Sequence, residues 1–428
     1  MNRACFTKNS DLHEQNQHAS SIRPVKKNIV RMKKSLLFIS ALFAITLFSC
    51  TMKNKSQEDK GVKIMAYYYP SWRNFHPENL QLGKLTHIIF SFTEVIGNEM
   101  KFVKDSSGLM LKALSDQKKI HPNLKVMIAC GGWGGSGGFS EMARTVENRK
   151  KFVESVSSFI KEYNLDGLDI DWEYPGMEGN GNPFIPEDKE NFTSLMRELR
   201  EAMDKIGKDQ VLTFAVAGWE EFFNHVELDK VMQYATYMNV MSYDLAGGGD
   251  TYTSHHTNLG LVKMEDLKGT SAERIILEQG DLTKPYSAQK IISYCIEKGV
   301  KPGQIVIGGA FYGKGWKGVP PENNGLYQSN RGSYRGAGNY SRIRETLEDK
   351  NGFVRHWDSV AMAPFLYNAT DSIFISYEDT VSIRLKTNYA ATTGLGGIMF
   401  WALSGDTDKD GLVDAIYAEK MRHLNPGK

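Results

Sequence analysis

The chain of 428 residues is 41% hydrophobic and 11% aromatic, which is enough to bury a large core. Its formal net charge is +2, but residues 1–49 hold eight Lys or Arg against two Asp or Glu, a net of +6. The rest of the chain therefore carries a net charge of −4, and a mildly acidic body argues against nucleic acid as a partner. The four cysteines include no CxxC pair, and no histidine-rich cluster has metal-ligand spacing, so we expect no disulfide framework, no metal and no cofactor.

The N-terminal region has the pattern of a secretory signal. MKKSLLFISALFAITLFSC (32–50) places two lysines before an apolar run that is too short to span a bilayer comfortably. Its end, LFSC, resembles the bacterial lipobox, in which the cysteine carries lipid after cleavage. We therefore predict a leader and signal peptide over 1–49, with Met32 as a candidate start, lipidation of Cys50 and a lipid-anchored linker at 50–60. The expected location is the cell envelope, with a secreted protein as the alternative.

Eight short segments rich in β-branched and aromatic residues recur along the rest of the chain, separated by stretches of helical character such as 148–164, 188–207 and 287–299. The strand-like segments are 62–69, 85–92, 124–129, 165–171, 211–217, 237–243, 304–310 and 395–401. Strands that alternate with helices pair in parallel through right-handed crossovers. Eight such units predict an α/β fold, a (β/α)8 TIM barrel.

An open doubly wound sheet is the alternative fold, and it would need a glycine-rich phosphate turn after an early strand. GGWGGSGG (131–138) follows the third predicted strand, but it lacks the spacing of that turn and an acidic partner about 20 residues further on. The barrel is therefore favoured. Because the connection before the last strand is too long for one helix, we predict an inserted α+β subdomain at 316–379 between barrel segments 61–315 and 380–428.

The most informative stretch is LDGLDIDWEYP (165–175), which alternates acids with bulky apolar residues. On a strand this alternation places Asp169, Asp171 and Glu173 on the interior face, with Glu173 at the open end, whereas Asp166 has the wrong parity and a structural role. Such closely spaced acids cannot all stay ionised in a low-dielectric interior, so one proton is shared and one acid stays protonated, as a general acid requires. A metal site is the alternative, but metal ligands usually converge from loops.

DGLDIDWE also resembles, at every defined position, the D-x-x-D-x-D-x-E signature of the family 18 glycoside hydrolases, the chitinases. The resemblance extends over nearly the whole chain after the leader. Further segments that resemble the family are YYYPSWR (67–73), MSYD (241–244), GGAFYGKGW (308–316) and GIMFWALSGD (397–406), with APFLYN (363–368) and FISYED (374–379) resembling the chitinase insertion domain.

This resemblance implies a retaining hydrolase of chitin or N-acetylglucosamine oligomers in which the substrate supplies the nucleophile. Glu173 would protonate the glycosidic oxygen, and Asp171 would turn to hold the 2-acetamido group. Asp169 would accept the shared proton, and Tyr243 would hydrogen-bond the acetamido oxygen. The residues that would bind the substrate are Asp244, Trp401, Tyr67, Met241 and Trp133; for Trp133, surface packing is an equally good interpretation.

Two positions depart from the family pattern. Ala129 stands where the family has a serine that hydrogen-bonds the inner aspartate, and its loss would cost about 1–3 kcal/mol if nothing replaced it. Lys314 stands in place of an arginine, which keeps the charge but loses the bidentate fork.

Three alternatives in function remain open. An endo-β-N-acetylglucosaminidase acting on N-glycans shares the acid motif, and a catalytically weak lectin on the same scaffold would bind chitin oligomers without cleaving them. Within the chitinases, a wall inserted beside the cleft favours exo-acting or processive cleavage over endo cleavage.

Overall fold

The computed structural model describes residues 61–427. The predicted signal peptide, Cys50 and the linker lie outside these residues, so they stay predictions. Within the described part of the chain, no helix is both long and apolar enough to cross a membrane.

Fourteen strands lie within the described residues and are numbered β1 to β14 in chain order. They are β1 Lys63–Tyr68, β2 His87–Ile96, β3 Glu99–Lys101, β4 Lys125–Gly131, β5 Gly167–Asp171, β6 Val211–Ala217, β7 Tyr237–Met241, β8 Ile305–Ala310, β9 Lys314–Lys317, β10 Ser333–Tyr334, β11 Val354–Asp358, β12 Ala363–Asn368, β13 Ile373–Ser376 and β14 Gly397–Trp401. The helices of nine residues or more are Ser106–Asp116, Val146–Glu162, Asp188–Ile206, Ser271–Gln279, Ala288–Glu297, Thr380–Thr393 and Leu412–Leu424.

Eight parallel strands form a closed barrel in the order β1, β2, β4, β5, β6, β7, β8 and β14, and β1 pairs with both β2 and β14 to complete the circle. Each of the eight predicted strand segments overlaps one of these strands, so the predicted TIM barrel is confirmed. The short β3 pairs antiparallel with the far end of β2, which runs to Ile96, beyond the predicted end.

Alternation along each strand separates the barrel interior from the helical layer. In β1, Met65 and Tyr67 belong to the interior cluster, whereas Ile64 and Ala66 pack in the larger outer core. The helix Val146–Glu162 covers this outer core through residues spaced by four, since Phe152, Val156 and Ile160 are all buried. Its first turn is capped by Thr145, whose hydroxyl accepts a hydrogen bond from the backbone N–H of Asn148.

The chain between β8 and β14 builds a second, antiparallel sheet in the order β10, β9, β13, β12, β11. Its core contains Trp316, Phe365 and Phe374, which are fully or nearly fully buried. The sheet begins at Lys314, directly beyond the carboxyl end of β8, where the loops of a barrel enzyme build its site. The predicted boundaries of the insertion, 316 and 379, stay predictions.

Candidate active site

The two acids of β5, Asp169 and Asp171, take the positions that alternation predicts. Leu168 and Ile170 pack in the outer core, while Asp169 and Asp171 point into the barrel. Asp166, with the opposite parity, accepts a hydrogen bond from the backbone N–H of Val126 at 2.8 Å at the other end of the strand.

Asp169 is fully buried and held by three donors from three strands. Its Oδ2 accepts from the Tyr67 hydroxyl at 2.9 Å, and its Oδ1 accepts from the Thr213 hydroxyl at 2.5 Å and from Asn239 Nδ2 at 3.2 Å. Burial raises the pKa of Asp169 to about 6, and these hydrogen bonds keep it from rising further. The carboxylate is therefore stabilised in one orientation beneath the cleft.

Thr213 and Asn239 are absent from the sequence-based site, although they explain the departure at Ala129. In the strand register Asp169 lies between Ala129 of β4 and Thr213 of β6. The resemblance implies a serine hydroxyl on the β4 side of Asp169, at the position of Ala129, and in this chain a hydroxyl is supplied from the β6 side, by Thr213. The available signal was a polar residue at an inward position of a predicted strand, where bulky apolar side chains are the rule.

Asp171 and Glu173 lie above Asp169, nearer to the open end of the barrel. Burial raises the pKa of Asp171 well above its ordinary value, and the neighbouring charges of Glu173 and Asp169 add to this effect. Burial likewise raises the pKa of Glu173 to about 7, against a hydrogen bond with Tyr174 that lowers it. An acid with this pKa can donate a proton near neutral pH, as general acid catalysis requires.

One oxygen of this row is unusual, because Asp171 Oδ1 is buried and has no hydrogen-bond partner. Leaving a buried acceptor unpaired costs about 1–3 kcal/mol, and more if it is charged. Asp171 lines the cleft, but this oxygen is shielded from solvent, so a donor on a bound ligand reaches it only when the side chain turns.

Tyr243 and Asp244 follow β7 and reach the same cleft. Tyr243 is buried, and its ring packs edge-on against Tyr312 with centroids 6.2 Å apart. Asp244 accepts a hydrogen bond from the Tyr312 hydroxyl and pairs with Lys314 Nζ at 2.9 Å. Burial alone would raise the pKa of Asp244, but His256, Lys314 and Tyr312 together hold it at about 2, so this carboxylate stays ionised.

Trp401 ends β14, on the side of the barrel opposite β5. Its ring stacks on Phe92 with centroids 5.4 Å apart and planes inclined by 22°, and it also packs against Tyr67 and Tyr69. This packing fixes the indole at the cleft wall, across the barrel from Glu173.

The remaining predicted residues lie at different depths. Trp133 is 53% exposed and Met241 partly exposed, and both line the cleft. Tyr67 also lines it, although its hydroxyl is committed to Asp169.

All the predicted catalytic and substrate-binding residues except Asp169 line one cleft of about 1340 Å³. Further aromatic side chains along it are Tyr69, Trp72, Tyr174, Trp219 and Tyr312. Among residues 61–427, no group of three or more His, Cys, Asp or Glu side chains is placed to hold a metal ion. The cleft thus combines an acid of raised pKa, an unpaired acceptor and aromatic walls, which suits a sugar-like ligand.

Comparison with known proteins agrees with this geometry. Residues 64–406 match the sequence profile of the glycosyl hydrolases family 18. Chitinase A1 of Niallia circulans is 30% identical over 437 residues, which cover 88% of this chain and 61% of that protein. Chitotriosidase-1 of Mus musculus is 29% identical over 78% of this chain and 70% of its own length.

Solved structures give the same result. A family 18 N-acetylglucosaminidase from Paenibacillus barengoltzii aligns with a TM-score of 0.73 and 35% identity, covering 84% of this chain and 99% of that one. Chitinase ChiA74 from Bacillus thuringiensis aligns with a TM-score of 0.76 and 29% identity, covering 85% and 70% respectively. The chain therefore belongs to the glycosyl hydrolases family 18, and the protein is a glycoside hydrolase.

Proposed function

We propose that the protein hydrolyses β-1,4 linkages in chitin or N-acetylglucosamine oligomers by substrate-assisted retaining catalysis. The observation that carries the proposal is the unpaired, buried Oδ1 of Asp171 beside the acid Glu173. An N-acetylglucosamine residue brings the missing donor, its acetamido N–H. Binding that group relieves an unsatisfied acceptor and orients the acetamido oxygen for attack.

In the first step Glu173 gives its proton to the glycosidic oxygen as the bond from that oxygen to the anomeric carbon breaks. The acetamido oxygen forms a new bond to the same carbon from the opposite face, which produces an oxazolinium ion. Asp171 holds the N–H and balances the positive charge that develops there. Water then attacks the anomeric carbon, returns its proton to Glu173 and opens the ring with net retention.

Three further side chains support this reaction. Asp169 takes up the proton that Asp171 releases when it turns, and it can do so because its pKa is raised to about 6. Tyr243 lies in the cleft with Asp171 and donates its hydroxyl to the acetamido oxygen. Trp401 provides the apolar surface under the reacting sugar.

The names of the relatives support the substrate class. Chitinase A1 and ChiA74 are chitinases by name, the Mus musculus relative is named a chitotriosidase, and the Paenibacillus barengoltzii relative is named an N-acetylglucosaminidase. The name N-acetylglucosaminidase supports an alternative product pattern, the release of single sugars from a chain end. An endo-β-N-acetylglucosaminidase acting on N-glycans and a weakly catalytic lectin are the other candidates.

The test is hydrolysis of a chitin tetramer by wild type, Glu173→Gln and the control Glu147→Gln, which changes an acid on a helix surface with 79% of its side chain exposed. We expect wild type and the control to release sugars whose initial anomer is β by proton NMR, and Glu173→Gln to release none. A predominance of disaccharide or of monosaccharide distinguishes the two product patterns. Cleavage by Glu173→Gln at the wild-type rate would contradict the proposal, and binding without cleavage by wild type would favour the lectin.

The predicted signal peptide and lipid anchor form part of the same proposal. A lipid on Cys50 and the linker 50–60 would hold the hydrolase in the cell envelope, where soluble oligomers reach it. Mass spectrometry of the mature N-terminus, with Cys50→Ser as the control, tests this: a diacylglyceryl mass on wild type is expected, and an unmodified N-terminus would contradict it.

A further inference from the structure

Glu173 lies two residues beyond the end of β5, where no neighbouring strand pairs with it. The ladder to β4 ends at the pair Gly131 and Asp171, and the ladder to β6 ends one residue earlier, at Ile170. A catalytic acid must keep its place to within a fraction of an ångström, and a misplacement of about 1 Å can cost about 100-fold in rate. Contacts other than strand pairing must therefore fix the Glu173 backbone.

Two side chains make those contacts, one on each side of the residue. The backbone N–H of Glu173 donates to Ser136 Oγ at 2.9 Å, and its carbonyl accepts from Asn182 Nδ2 at 3.2 Å. Ser136 is fully buried, and its own proton lies within reach of the Gly132 carbonyl at 2.9 Å and the Asp171 carbonyl at 3.1 Å. Ser136 thereby bridges the backbones of the two catalytic acids.

Ser136 reaches this place because it belongs to the glycine-rich segment 131–138, to which the proposed reaction assigns no role. Gly131 has φ +113°, and a Cβ there would lie 2.1 Å from the Asp171 carbonyl oxygen. A Cβ on Gly135 would lie 2.4 Å from the Gly131 carbonyl oxygen. The glycines thus let the loop fold tightly against the end of β5 and bring the serine under Glu173.

Asn182 connects the same point to the aromatic wall. Its side chain also approaches the Trp133 carbonyl at 3.5 Å, and Asn180 donates to that carbonyl at 2.9 Å. The loop after β5 is in this way fastened to the loop after β4, which carries the exposed Trp133 ring into the cleft.

We propose that Ser136 and Asn182 are positioning residues that hold the general acid Glu173 at its working distance from Asp171 and from the glycosidic oxygen. This inference rests on the proposed function, because it assigns the acid role to Glu173. It concerns how well the proton is delivered, and not whether the sugar binds.

The test compares Ser136→Ala and Asn182→Ala in the full chain with the control Thr86→Val. Thr86 is a buried residue at the opposite end of the barrel, and its hydroxyl also bridges backbone groups, accepting from Ile64 N–H and donating to Ile64 C=O, both at 2.9 Å. Each variant is assayed on a chitin tetramer and on an aryl chitobioside whose phenol is acidic enough to leave with little protonation.

On the tetramer we expect kcat to fall by about 10- to 100-fold for both site variants, with KM within about threefold of wild type, since general acid catalysis contributes about 100-fold or more. On the aryl substrate kcat should fall by less than about threefold in both site variants. Thr86→Val should have the same kcat as wild type on both substrates. A purely structural role would lower both activities alike, so equal losses on the two substrates, or no loss, would overturn the proposal.

Thermal melts report folding, and if Ser136→Ala does not fold, the partly exposed Asn182 decides the question. Failure of wild type to cleave either substrate would instead overturn the proposed function itself, so the two failures are distinguishable.

Discussion

Replacing Thr213 with valine tests how Asp169 is held. Thr213→Val keeps the shape of the side chain but removes the hydroxyl that donates to Asp169 Oδ1 at 2.5 Å. A hydrogen bond to a charged group contributes about 1.5–3 kcal/mol. At about 1.36 kcal/mol for each pKa unit, its loss raises the pKa of Asp169, now about 6, by about one to two units.

The consequence for activity follows from the direction of that shift. An Asp169 that is already protonated cannot accept the proton that Asp171 releases, so the acid limb of the kcat profile should move upward by about one to two pH units. At pH 6 we expect kcat to fall by about tenfold, with a smaller loss at pH 8. The assay is kcat on a chitin tetramer between pH 4 and pH 9.

Two further variants sharpen this experiment. Thr93→Val is the matched control, because Thr93 is equally buried but donates to the Ala129 carbonyl at 3.0 Å and not to a carboxylate. Adding Ala129→Ser to Thr213→Val should reverse part of the increase in the pKa of Asp169, since Ala129 lies directly opposite Asp169 in the strand register. An unchanged acid limb in Thr213→Val would refute the reasoning, as would the same shift in Thr93→Val.

The other predictions concern stability and binding. Asp171→Asn should abolish turnover, yet it should raise Tm by several degrees at pH 8 and hardly at all at pH 4. The reason is that a carboxyl whose pKa is raised by folding destabilises the fold only at a pH where it ionises in the unfolded chain. An equal gain in Tm at both pH values would contradict this. Trp401→Ala should weaken oligomer binding by about 1–3 kcal/mol, by analogy with other aromatic stacking contacts. Calorimetry would compare Glu173→Gln, which we expect not to cleave the oligomer, with the double variant Glu173→Gln/Trp401→Ala. Lys386→Met should lower the free energy of unfolding by about 3–5 kcal/mol, because the fully buried Glu378, 2.9 Å away, would keep its hydrogen bond from Thr257 but lose its cationic partner. The double variant Lys386→Met/Glu378→Leu should recover most of this loss in denaturant unfolding.

The fold could be predicted because its strands carry their own signal. Each barrel strand is a short apolar run, and period-two alternation in β5 assigned the acids to the interior without knowledge of any neighbour. The spacing of these acids predicted a shared proton and a general acid, whereas the separate roles of Asp169, Asp171 and Glu173 came from the resemblance to the family 18 glycoside hydrolases. Where local pattern and global fold agree in this way, sequence reasoning succeeds.

The contacts of the supporting residues could not be predicted, because they join distant parts of the chain; an inward polar position marked Thr213 and Asn239 at most as unusual. Thr213 and Asn239 reach Asp169 across 44 and 70 residues, and Ser136 reaches Glu173 across 37. Only the strand register and the fold of the glycine-rich loop bring them together. Neither the strand register nor the fold of this loop can be read from composition and periodicity.

The central claim is that the substrate's acetamido oxygen is the nucleophile, and a fluorine series tests it most directly. Initial rates would be measured on chitobiosides with one leaving group, in which the acetamido methyl on the reacting sugar carries none, one, two or three fluorines. Since each fluorine makes the carbonyl oxygen a poorer nucleophile, kcat should fall at every step, by orders of magnitude over the series. Rates that stay constant along the series would contradict the account and assign the attack to another group.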